Sequence, residues 1–375
     1  MKFVISSALL SSRLTNLGRV IGSKNKMPIL DCFLFEIEGL GLTVTASDGD
    51  SYMKTFVELT ECDANIRFAV NAQTMLEAVK AIPEQPIQIS VEPESYEMKV
   101  VYQNGIYELL GEDADVYPVP SEESAETVEL SLACSTLGDA LTRGLAAAAT
   151  DAMRPQLSSV CLDVNGGSLS VVGTNGNHLA LTKATCSINS ETEGTYLLSA
   201  RAANVTRNIL GGEGRQVKVF LSARTASFIT DDFSFECRLV EGRYPNYKAI
   251  IPMDNSNELV INRAGLVGVL RRVLAISGSG EGVAKFLIEN STATTSYQDI
   301  DFRTSSKESI LCEYSGVPLR IAFKGKSLLE LIQNMDSEDI TMKIADASRA
   351  VLIHPTEQKE KEETLALIMP SFFFE

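Results

Sequence analysis

Hydrophobic and polar positions along the chain follow two spacings, one typical of amphipathic helices and one typical of half-buried strands. Helices are predicted where apolar residues recur at steps of three and four, at Leu9, Leu10, Leu14, Leu17 and Ile21, at Leu137, Leu141, Leu145 and Ala148, and at Leu266, Leu270, Val273 and Leu274. Further amphipathic helices are predicted within residues 70–82, 198–210 and 323–335. The same order of elements therefore recurs three times.

Strands are predicted between and after these helices. Those after the first helix of each repeat are FLFEIEG (33–39), LTVTAS (42–47), VCLDVNG (160–166), LSVVGT (169–174) and KFLIEN (285–290). Those after the second helix alternate apolar with polar residues, at Ile87, Ile89 and Val91, at Val217, Val219 and Leu221, and at Ile340, Met342 and Ile344. Two helices and two strand-rich halves per repeat predict an α+β fold with the helices on one side of each sheet.

The first two repeats are also related residue by residue. A shift of 127 positions places Pro28 on Pro155 and Gly49 on Gly176, and it carries Tyr117-Pro118 onto Tyr244-Pro245. The third repeat lacks these markers, and its assignment depends on the order of its elements. The predicted domains are residues 1–125, 126–254 and 255–375, with breaks at the acidic segment 120–127 and the polar segment 253–258. The charged segment 356–363 is predicted to be a solvated loop in the last hairpin.

The composition of the chain limits the classes of function that it can have. A length of 375 residues suits three domains of this size, and 45% hydrophobic with 22% charged residues is ordinary for globular domains. The net charge of −16 disfavours general affinity for nucleic acid. It leaves room for a local basic face, because charges are screened over about 10 Å. Seven scattered cysteines without a Cys-x-x-Cys pair, and the lack of a membrane-spanning run or cleavage site, predict a cytoplasmic protein with reduced thiols.

Motifs for cofactors and metals are weak. FKGKS (323–327) lacks the first glycine of a phosphate loop, because position 320 is arginine. GSGEG (278–282) leads into a predicted strand rather than a helix, which disfavours a dinucleotide site. DGD (48–50) is followed by Tyr52 and Met53, where a calcium loop needs an oxygen ligand and a glycine. No cofactor and no metal are predicted.

Catalysis is also disfavoured. His178, one of two histidines, lies in the turn that the repeat duplicates, and its counterpart in the first repeat is Ser51. His354 stands beside Pro355 at a predicted strand end. Neither histidine belongs to an arrangement of nucleophile and base, and no catalytic residue is predicted. The duplicated turn therefore favours an architectural role over an enzymatic one.

Four segments resemble the bacterial DNA polymerase III β subunit family, the DNA sliding clamps: KMPIL (26–30), RPQL (154–157) with TNGNHLAL (174–181), LVEGRYPNYKAIIP (239–252) and LALIMP (365–370). The resemblance covers the whole chain in order. It implies three clamp-type domains per chain and a head-to-tail homodimer, closed into a ring around duplex DNA. Helices would line the hole, and sheets would form the outer wall.

The resemblance also implies function and partners. The chain would be a processivity factor rather than an enzyme, encircling duplex DNA without sequence preference. It would tether the DNA polymerase III catalytic subunit, the clamp loader, and other polymerases and repair proteins, which insert short linear peptides into a hydrophobic groove. No membrane partner is expected.

Matched position by position, the resemblance implies a groove between the second and third repeats. The deeper part comprises Leu157, Thr174, Gly176, His178, Leu179, Pro245, Ile250, Leu367 and Met369. The shallower part comprises Arg154, Asn177, Lys324, Ser327, Ala350 and Pro370. His178 stands where the family often has arginine, and Asn177 where it often has histidine. His178 is expected to make contacts at the rim of the groove.

Two further sets of residues complete the expected sites. Basic residues expected to face DNA are Lys24, Lys26, Lys80, Arg143, Arg201, Arg207, Arg271 and Arg272. The subunit join is expected to pair the outer strands of the first and third repeats, with Tyr107 and Leu109 facing Ala275 and Ile276.

The chain ends on three phenylalanines, Phe372 to Phe374, where relatives usually end on a methionine or an aliphatic residue. These side chains are expected to pack against the third repeat beside the groove. The alternative is that the tail imitates a partner peptide and occupies a groove.

Two other functions stay open at this point. One is a peptide-binding scaffold that never encircles DNA. The other is an enzyme with dispersed catalytic carboxylates, which needs a buried acid with a perturbed pKa. Retention on nicked circular DNA that is lost on linearisation separates the ring from both.

Overall fold

The computed structural model describes residues 1–23, 25, 27–118, 127–151, 153–189, 193–212, 214–278 and 280–372. The chain forms two compact units. The first comprises Met1–Cys134 with Val205–Leu239, and the second comprises Ser135–Asn204 with Val240–Glu375.

Two α-helices occur in each repeat, as the hydrophobic spacing predicts. Among the described residues they are α1 (Ser7–Leu17), α2 (Ala72–Ala81), α3 (Cys134–Ala147), α4 (Ala200–Ile209), α5 (Arg263–Val273) and α6 (Gly325–Gln333). Short 3-10 helices span Pro28–Asp31, Tyr247–Ile250 and Leu274–Ile276. Polar residues at strand ends start several of these helices: the side chains of Asn71 and Asn262 accept hydrogen bonds from the amides of Thr74 and Gly265.

Strands make up most of the remaining structure. Among the described residues they are β1 (Lys2–Ser6), β2 (Cys32–Glu38), β3 (Gly41–Ser47), β4 (Ser51–Glu58), β5 (Glu61–Cys62), β6 (Ile66–Asn71), β7 (Pro86–Val91), β8 (Glu97–Tyr102), β9 (Gly105–Glu112), β10 (Val128–Ala133), β11 (Ser159–Asn165), β12 (Ser168–Thr174), β13 (His178–Thr185), β14 (Ser187–Ile188), β15 (Gly194–Ser199), β16 (Gln216–Leu221), β17 (Thr225–Ile229), β18 (Phe233–Arg238), β19 (Asn257–Asn262), β20 (Val283–Glu289), β21 (Thr292–Asp299), β22 (Thr304–Tyr314), β23 (Leu319–Lys324), β24 (Asp339–Ile344), β25 (Val351–Pro355) and β26 (Glu362–Ile368).

The first compact unit contains a sheet in the order β10-β16-β17-β18-β4-β3-β2-β6-β9-β8-β7-β1-β5. Strand β18 of the second repeat pairs with β4 of the first repeat in antiparallel register, with Phe235 opposite Met53. Both of these side chains are buried. One continuous sheet therefore joins the two repeats within this unit.

The second compact unit contains a 12-stranded sheet in the order β15-β11-β12-β13-β26-β25-β24-β19-β22-β21-β20-β23. Here β13 of the second repeat pairs with β26 of the third repeat. Helices α5 and α6 pack on one face of the third repeat, where Leu266, Leu270, Leu328 and Ile332 share a buried core with residues of the sheet. The opposite face carries a separate apolar cluster, which forms the floor of the candidate site described below.

Several local predictions need correction. Leu9 is on α1 but 37% exposed, because it points away from the face that buries Leu10 and Leu14. Ile21 lies beyond the end of α1. Phe372 is 93% exposed, so it does not pack against the third repeat, and Phe373 and Phe374 lie outside the described residues. The predicted domain boundaries stay predictions.

Candidate peptide-binding groove

The duplicated turn between β12 and β13 is held by its own polar side chains. Asn175 Oδ1 accepts hydrogen bonds from the amides of Asn177 and His178 at 2.9 and 3.1 Å. Thr174 Oγ1 donates to the His178 carbonyl at 2.6 Å. Gly176 takes a φ of +91°, and its counterpart Gly49 takes +92°, a conformation that glycine adopts without strain. The repeated Gly in the sequence therefore marks a repeated turn.

The end of the last strand lies alongside this turn. Leu179 and Leu367 are opposite each other in the β13–β26 pair, and both are buried. The Met369 amide donates to the Asn177 carbonyl at 2.9 Å, which extends the contact past the end of β26. The Met369 side chain itself is 42% exposed. Asn177 and Met369, which are 192 positions apart in the sequence, thus belong to one wall of the site.

The segment that links the second and third repeats is fixed across the sheet by two buried tyrosines. The Tyr244 hydroxyl donates to the Val172 carbonyl at 3.3 Å, and the Tyr247 hydroxyl donates to Asp163 Oδ2 at 2.6 Å. Lys248 Nζ also contacts Asp163, at 2.9 Å. Burial is the main cause that raises the pKa of Tyr247, and the hydrogen bond to the Asp163 carboxylate raises it further. The Tyr247 hydroxyl therefore stays protonated.

The predicted groove residues fall into two layers. Thr174, His178, Leu179, Leu367 and Ser327 are buried. The remainder are exposed or half-buried, and they are Arg154, Leu157, Gly176, Asn177, Pro245, Ile250, Lys324, Ala350, Met369 and Pro370. All of these residues belong to the second compact unit. Apolar side chains such as Ile250 and Met369 are thus exposed above an apolar floor.

His178 does not lie at an open rim, and that expectation is wrong. Its side chain is 5% exposed, at the start of β13. Burial lowers the pKa of His178, the Glu281 carboxylate partly opposes this, and Lys324 adds to the lowering. His178 is therefore neutral near pH 7 and acts as part of the wall.

The shallower part of the predicted groove is more polar. Arg154 lies 3.5 Å from Asp151, and Ser327 Oγ donates to Glu281 Oε2 at 3.2 Å. Lys324 is exposed at the N-terminal cap of α6. Glu281, which faces both Ser327 and His178, was not singled out from the sequence. The Gly-rich segment around it carried no periodic signal.

The arrangement suits binding rather than catalysis. Among the described residues, no group of three or more His, Cys, Asp and Glu side chains could hold a metal ion. Apolar side chains around a fixed turn can hold apolar side chains of a peptide, and methionine adapts to different shapes.

Arg143 is a correction to the set expected to face DNA. It is 5% exposed. Its Nε donates to the Asn334 carbonyl at 3.0 Å and its Nη1 donates to Thr182 Oγ1 at 3.3 Å. The guanidinium therefore links α3 to β13 and to Asn334 at the C-terminal cap of α6. Because it is buried, it is not accessible to DNA.

The other basic residues of that set that the structure describes are more exposed than Arg143. Lys80 is exposed in the last turn of α2, and Arg207 is half-buried in the last turn of α4. Arg271 is exposed on α5, whereas Arg272 beside it makes a bidentate ion pair with Glu308, at 2.6 Å from Nη2 and 2.9 Å from Nε. Arg201 is exposed on α4. Lys24 and Lys26 lie outside the described residues.

The residues expected at the subunit join occupy different kinds of element. Tyr107 and Leu109 are half-buried on β9, and the Tyr107 ring lies 5.3 Å from the Tyr102 ring. Ala275 and Ile276 are exposed on the 3-10 helix Leu274–Ile276. They do not lie on a strand, so the expectation that they belong to a pairing outer strand is wrong.

Family models match the chain almost from end to end. The N-terminal, central and C-terminal domain models of the DNA polymerase III beta subunit match residues 1–120, 131–246 and 248–371. The chain belongs to the DNA polymerase III beta subunit family. The expected function, a DNA sliding clamp and processivity factor rather than an enzyme, is confirmed with the family.

Relatives of this family are similar over their full length. The beta sliding clamp of Halalkalibacterium halodurans is 24% identical over 387 aligned residues, which cover 99% of both chains. The beta sliding clamp of Pseudomonas aeruginosa is 22% identical, also with 99% coverage of both. A crystal structure of the P. aeruginosa sliding clamp bound to griselimycin covers 100% of both chains, with a TM-score of 0.92 and 22% identity. These structural similarities establish the fold.

Proposed function

We propose that two copies of the chain close head-to-tail into a ring around duplex DNA and hold replication proteins through the groove. One observation carries this proposal. Consecutive repeats are joined twice within the chain, and each join uses equivalent strands of the repeats. The first join pairs β4 with β18, and the second pairs β13 with β26. The equivalent strands at the two ends of the series, β22 and β9, each keep a stretch of one edge that pairs with no other strand among the described residues.

These free edges are long enough to pair. Residues 105–110 of β9 pair only with β8, and residues 304–311 of β22 pair only with β21, within the part of the chain that is described. An unpaired edge presents backbone donors and acceptors to another strand. A heterologous contact that repeats and closes makes a ring. The third join of the series therefore requires β22 of one copy and β9 of another.

Equivalent positions give the register of this join. Tyr107 lies opposite Val100, as Phe235 lies opposite Phe228. Tyr107 is thus the counterpart of Phe235, whose partner in the β4–β18 join is Met53.

The counterpart of Met53 in the third repeat follows in the same way. Met53 lies opposite the buried Ala46, and Ser306 lies opposite the buried Tyr297. The proposed register therefore places Tyr107 of one copy opposite Ser306 of the other. Ser306 Oγ donates to the Val273 carbonyl at 2.7 Å, which brings the start of the 3-10 helix with Ile276 to the side of this edge.

Basic groups on the helices are proposed to face the enclosed DNA through loose contacts to phosphates, which carry no sequence information. The proposed residues are Lys24, Lys26, Lys80, Arg201, Arg207, Arg271 and Arg272. A net charge of −16 on the whole chain limits adhesion to DNA outside the ring. Topological linkage then replaces tight binding.

The groove is proposed to take short linear peptides of the DNA polymerase III catalytic subunit, the clamp loader, and other polymerases and repair proteins. The proposed compartment is the cytoplasm, where bacterial DNA is replicated. Among the described residues, no helix is long and apolar enough to cross a membrane.

Primer extension on singly primed circular DNA tests this function. With the polymerase and clamp loader of the same organism, the chain is expected to lengthen the products of a single binding event. Met369→Ala and Ile250→Ala are expected to shorten them. Ile229→Ala, which removes another exposed isoleucine on β17, serves as the control. Equal product lengths with and without the chain would overturn the proposal.

A further inference from the structure

The turn between β21 and β22 carries two exposed apolar side chains. Ile300 is 81% exposed and Phe302 is 80% exposed. The turn is held by Asp299, whose Oδ1 accepts a hydrogen bond from the Phe302 amide at 3.0 Å. Apolar side chains lose free energy when water covers them, and neighbouring ones mark contact sites more often than single ones do. The tip of this hairpin is therefore a candidate contact surface.

This turn is the third repeat's equivalent of the duplicated turn. Each repeat has four residues between the last paired residues of a hairpin, and the second strand of that hairpin is the one that forms a join. The turns are 48–51 before β4, 175–178 before β13 and 300–303 before β22. A side-chain oxygen holds each turn through backbone amides, and it belongs to Asp48, Asn175 or Asp299.

Both joins within the chain place the end of the incoming strand on this turn. In the first join, the Arg238 amide donates to the Asp50 carbonyl at 3.0 Å, and the two side chains form an ion pair at 3.4 Å. In the second join, the Met369 amide donates to the Asn177 carbonyl at 2.9 Å. The third join should therefore place the equivalent residue of β9 on the turn 300–303 of another copy.

Leu110 is the residue of β9 at this position. It lies three residues after Tyr107, as Arg238 lies three residues after Phe235 in the first join. The proposed register, extended by three residues, places Leu110 opposite Arg303 in the turn. Beyond this register the β21–β22 hairpin has one residue pair more than the β3–β4 hairpin, so its tip reaches roughly 3.3 Å further past the join.

The exposed face and the free edge of β9 both suit this contact. Leu110 is 68% exposed, on the face of the strand opposite to the half-buried Tyr107 and Leu109. The Gly111 amide donates to the Tyr96 carbonyl at the start of β8, at 2.9 Å. Successive amides of a strand point to opposite edges, so the Leu110 amide points to the free edge.

We propose that Ile300 and Phe302 of one copy pack against Leu110 of the other, as an apolar clasp at each subunit join. The clasp rests on the proposed ring and names side chains that hold it closed. Tyr107 and Leu109 occupy the other face of β9, so the clasp is a separate contact. An apolar contact stands here where the first join has an ion pair, and it should persist in salt that screens charges.

Charge substitutions test the clasp. Leu110→Glu and Phe302→Lys each place a charge in the apolar contact, which should weaken the dimer about tenfold for each of its two joins, or about 1.4 kcal/mol per join. Leu40→Glu and Phe56→Lys are the matched controls, at exposed positions outside β9 and β22. The dissociation constant of the full chain is measured by sedimentation velocity with a fluorescent label, at concentrations low enough to separate the copies.

Mixing the two clasp variants separates loss of the contact from damage to the fold. A dimer with one copy of each variant has one unchanged join and one join in which the new carboxylate faces the new ammonium group. The equimolar mixture should therefore dimerise more tightly than either variant alone, because opposite charges attract. A mixture that is no tighter than its components, or clasp variants that dimerise as tightly as the controls, would overturn the proposal.

Failure of the clasp is distinguishable from failure of the ring. If the unchanged chain dimerises and is retained on circular but not linear DNA, while the clasp variants dimerise like the controls, only the clasp is wrong. An unchanged chain that stays monomeric, or that is retained equally on circular and linear DNA, would overturn the ring and the clasp together.

Discussion

Leu179 and Leu367 lie opposite each other in the strand pair that joins the second and third repeats, and both side chains are buried. They belong to an apolar cluster that also contains Tyr244, Tyr247 and Leu352. The floor of the candidate groove is thus also the buried core that joins the second and third repeats. Substitutions in the floor should therefore lower stability, whereas substitutions at the exposed surface of the groove should lower peptide affinity.

Met369→Ala should weaken the binding of a partner peptide by about tenfold and leave stability almost unchanged. The Met369 side chain is partly exposed above the floor, and exposed anchors in a small apolar site carry much of the binding energy. Peptide affinity by fluorescence anisotropy and a thermal melt measure the two effects. Met253→Ala, at a methionine that is 95% exposed, is the control. Unchanged affinity in the Met369 variant would move the binding site elsewhere.

Leu179→Ala should lower the free energy of unfolding by roughly 2–5 kcal/mol, because it leaves a cavity in a packed core. Leu179 has no exposed surface with which to contact a peptide directly. Urea denaturation measures the loss. A variant with unchanged stability and reduced peptide affinity would contradict the assignment of Leu179 to the floor.

Gly173→Ala should destabilise the second compact unit by roughly 1–3 kcal/mol through overpacking. A Cβ atom at position 173 would lie 1.8 Å from the carbonyl oxygen of Gly144, so α3 would have to move away from β12. Gly212→Ala is the control, since its Cβ meets no atom within 4 Å and its φ is not positive. Equal urea midpoints for both variants would refute the close contact between helix and strand.

Arg143→Ala should reduce stability by roughly 2–4 kcal/mol, because it leaves the Asn334 carbonyl and the Thr182 hydroxyl without a buried partner. Lys80→Ala, at an exposed position of α2, should change stability little. Urea denaturation compares the two. If Arg143→Ala is as stable as the control, the buried hydrogen bonds do not stabilise the fold.

Asp232→Asn should destabilise the chain in a pH-dependent manner. Hydrogen bonds from Arg13 and then Arg215, at 2.5 and 2.6 Å, hold the pKa of Asp232 at about 2, against an ordinary value of 3.8. A depressed pKa stabilises the fold above pH 3.8, and the contribution is lost as the pH falls through about 2. The urea midpoint of the variant should therefore lie furthest below that of the unchanged chain near neutral pH, and this difference should become smaller below pH 4. Asp301→Asn is the exposed control, and a difference that is constant with pH would rule out the charge as the cause.

The local pattern of the sequence was sufficient for the helices and for part of the strands, because burial of one face sets the spacing of apolar residues. The strands predicted in this way are β2, β3, β7, β11, β12, β16, β20 and β24. It was also sufficient for the duplicated turn, since Gly49 and Gly176 share a backbone conformation that glycine allows. Family resemblance supplied the set of groove residues, which neither periodicity nor composition indicates.

Long-range packing was beyond the sequence pattern. Arg143 and Lys80 both stand on helices of the repeat, yet Arg143 meets a carbonyl 191 residues away and is buried. The charges that act on buried His178, those of Glu281 and Lys324, also come from residues distant in sequence. The pairing proposed for β22 was not predicted from the sequence, because its outward residues are mostly polar and its unpaired edge is a property of the sheet rather than of the strand.

The ring is tested most directly by locking the proposed join and then cutting the DNA. The register of Tyr107 with Ser306 places Glu108 of one copy opposite Ser305 of the other, so Glu108→Cys/Ser305→Cys should cross-link copies into closed dimers. Glu108→Cys/Ser309→Cys is the off-register control. Dimers that the clamp loader places on nicked circular DNA, and that are cross-linked only after loading, should stay bound in high salt and be released when a restriction enzyme linearises the DNA. Retention that is the same on circular and linear DNA, or the absence of cross-linking in the paired variant, would contradict the account.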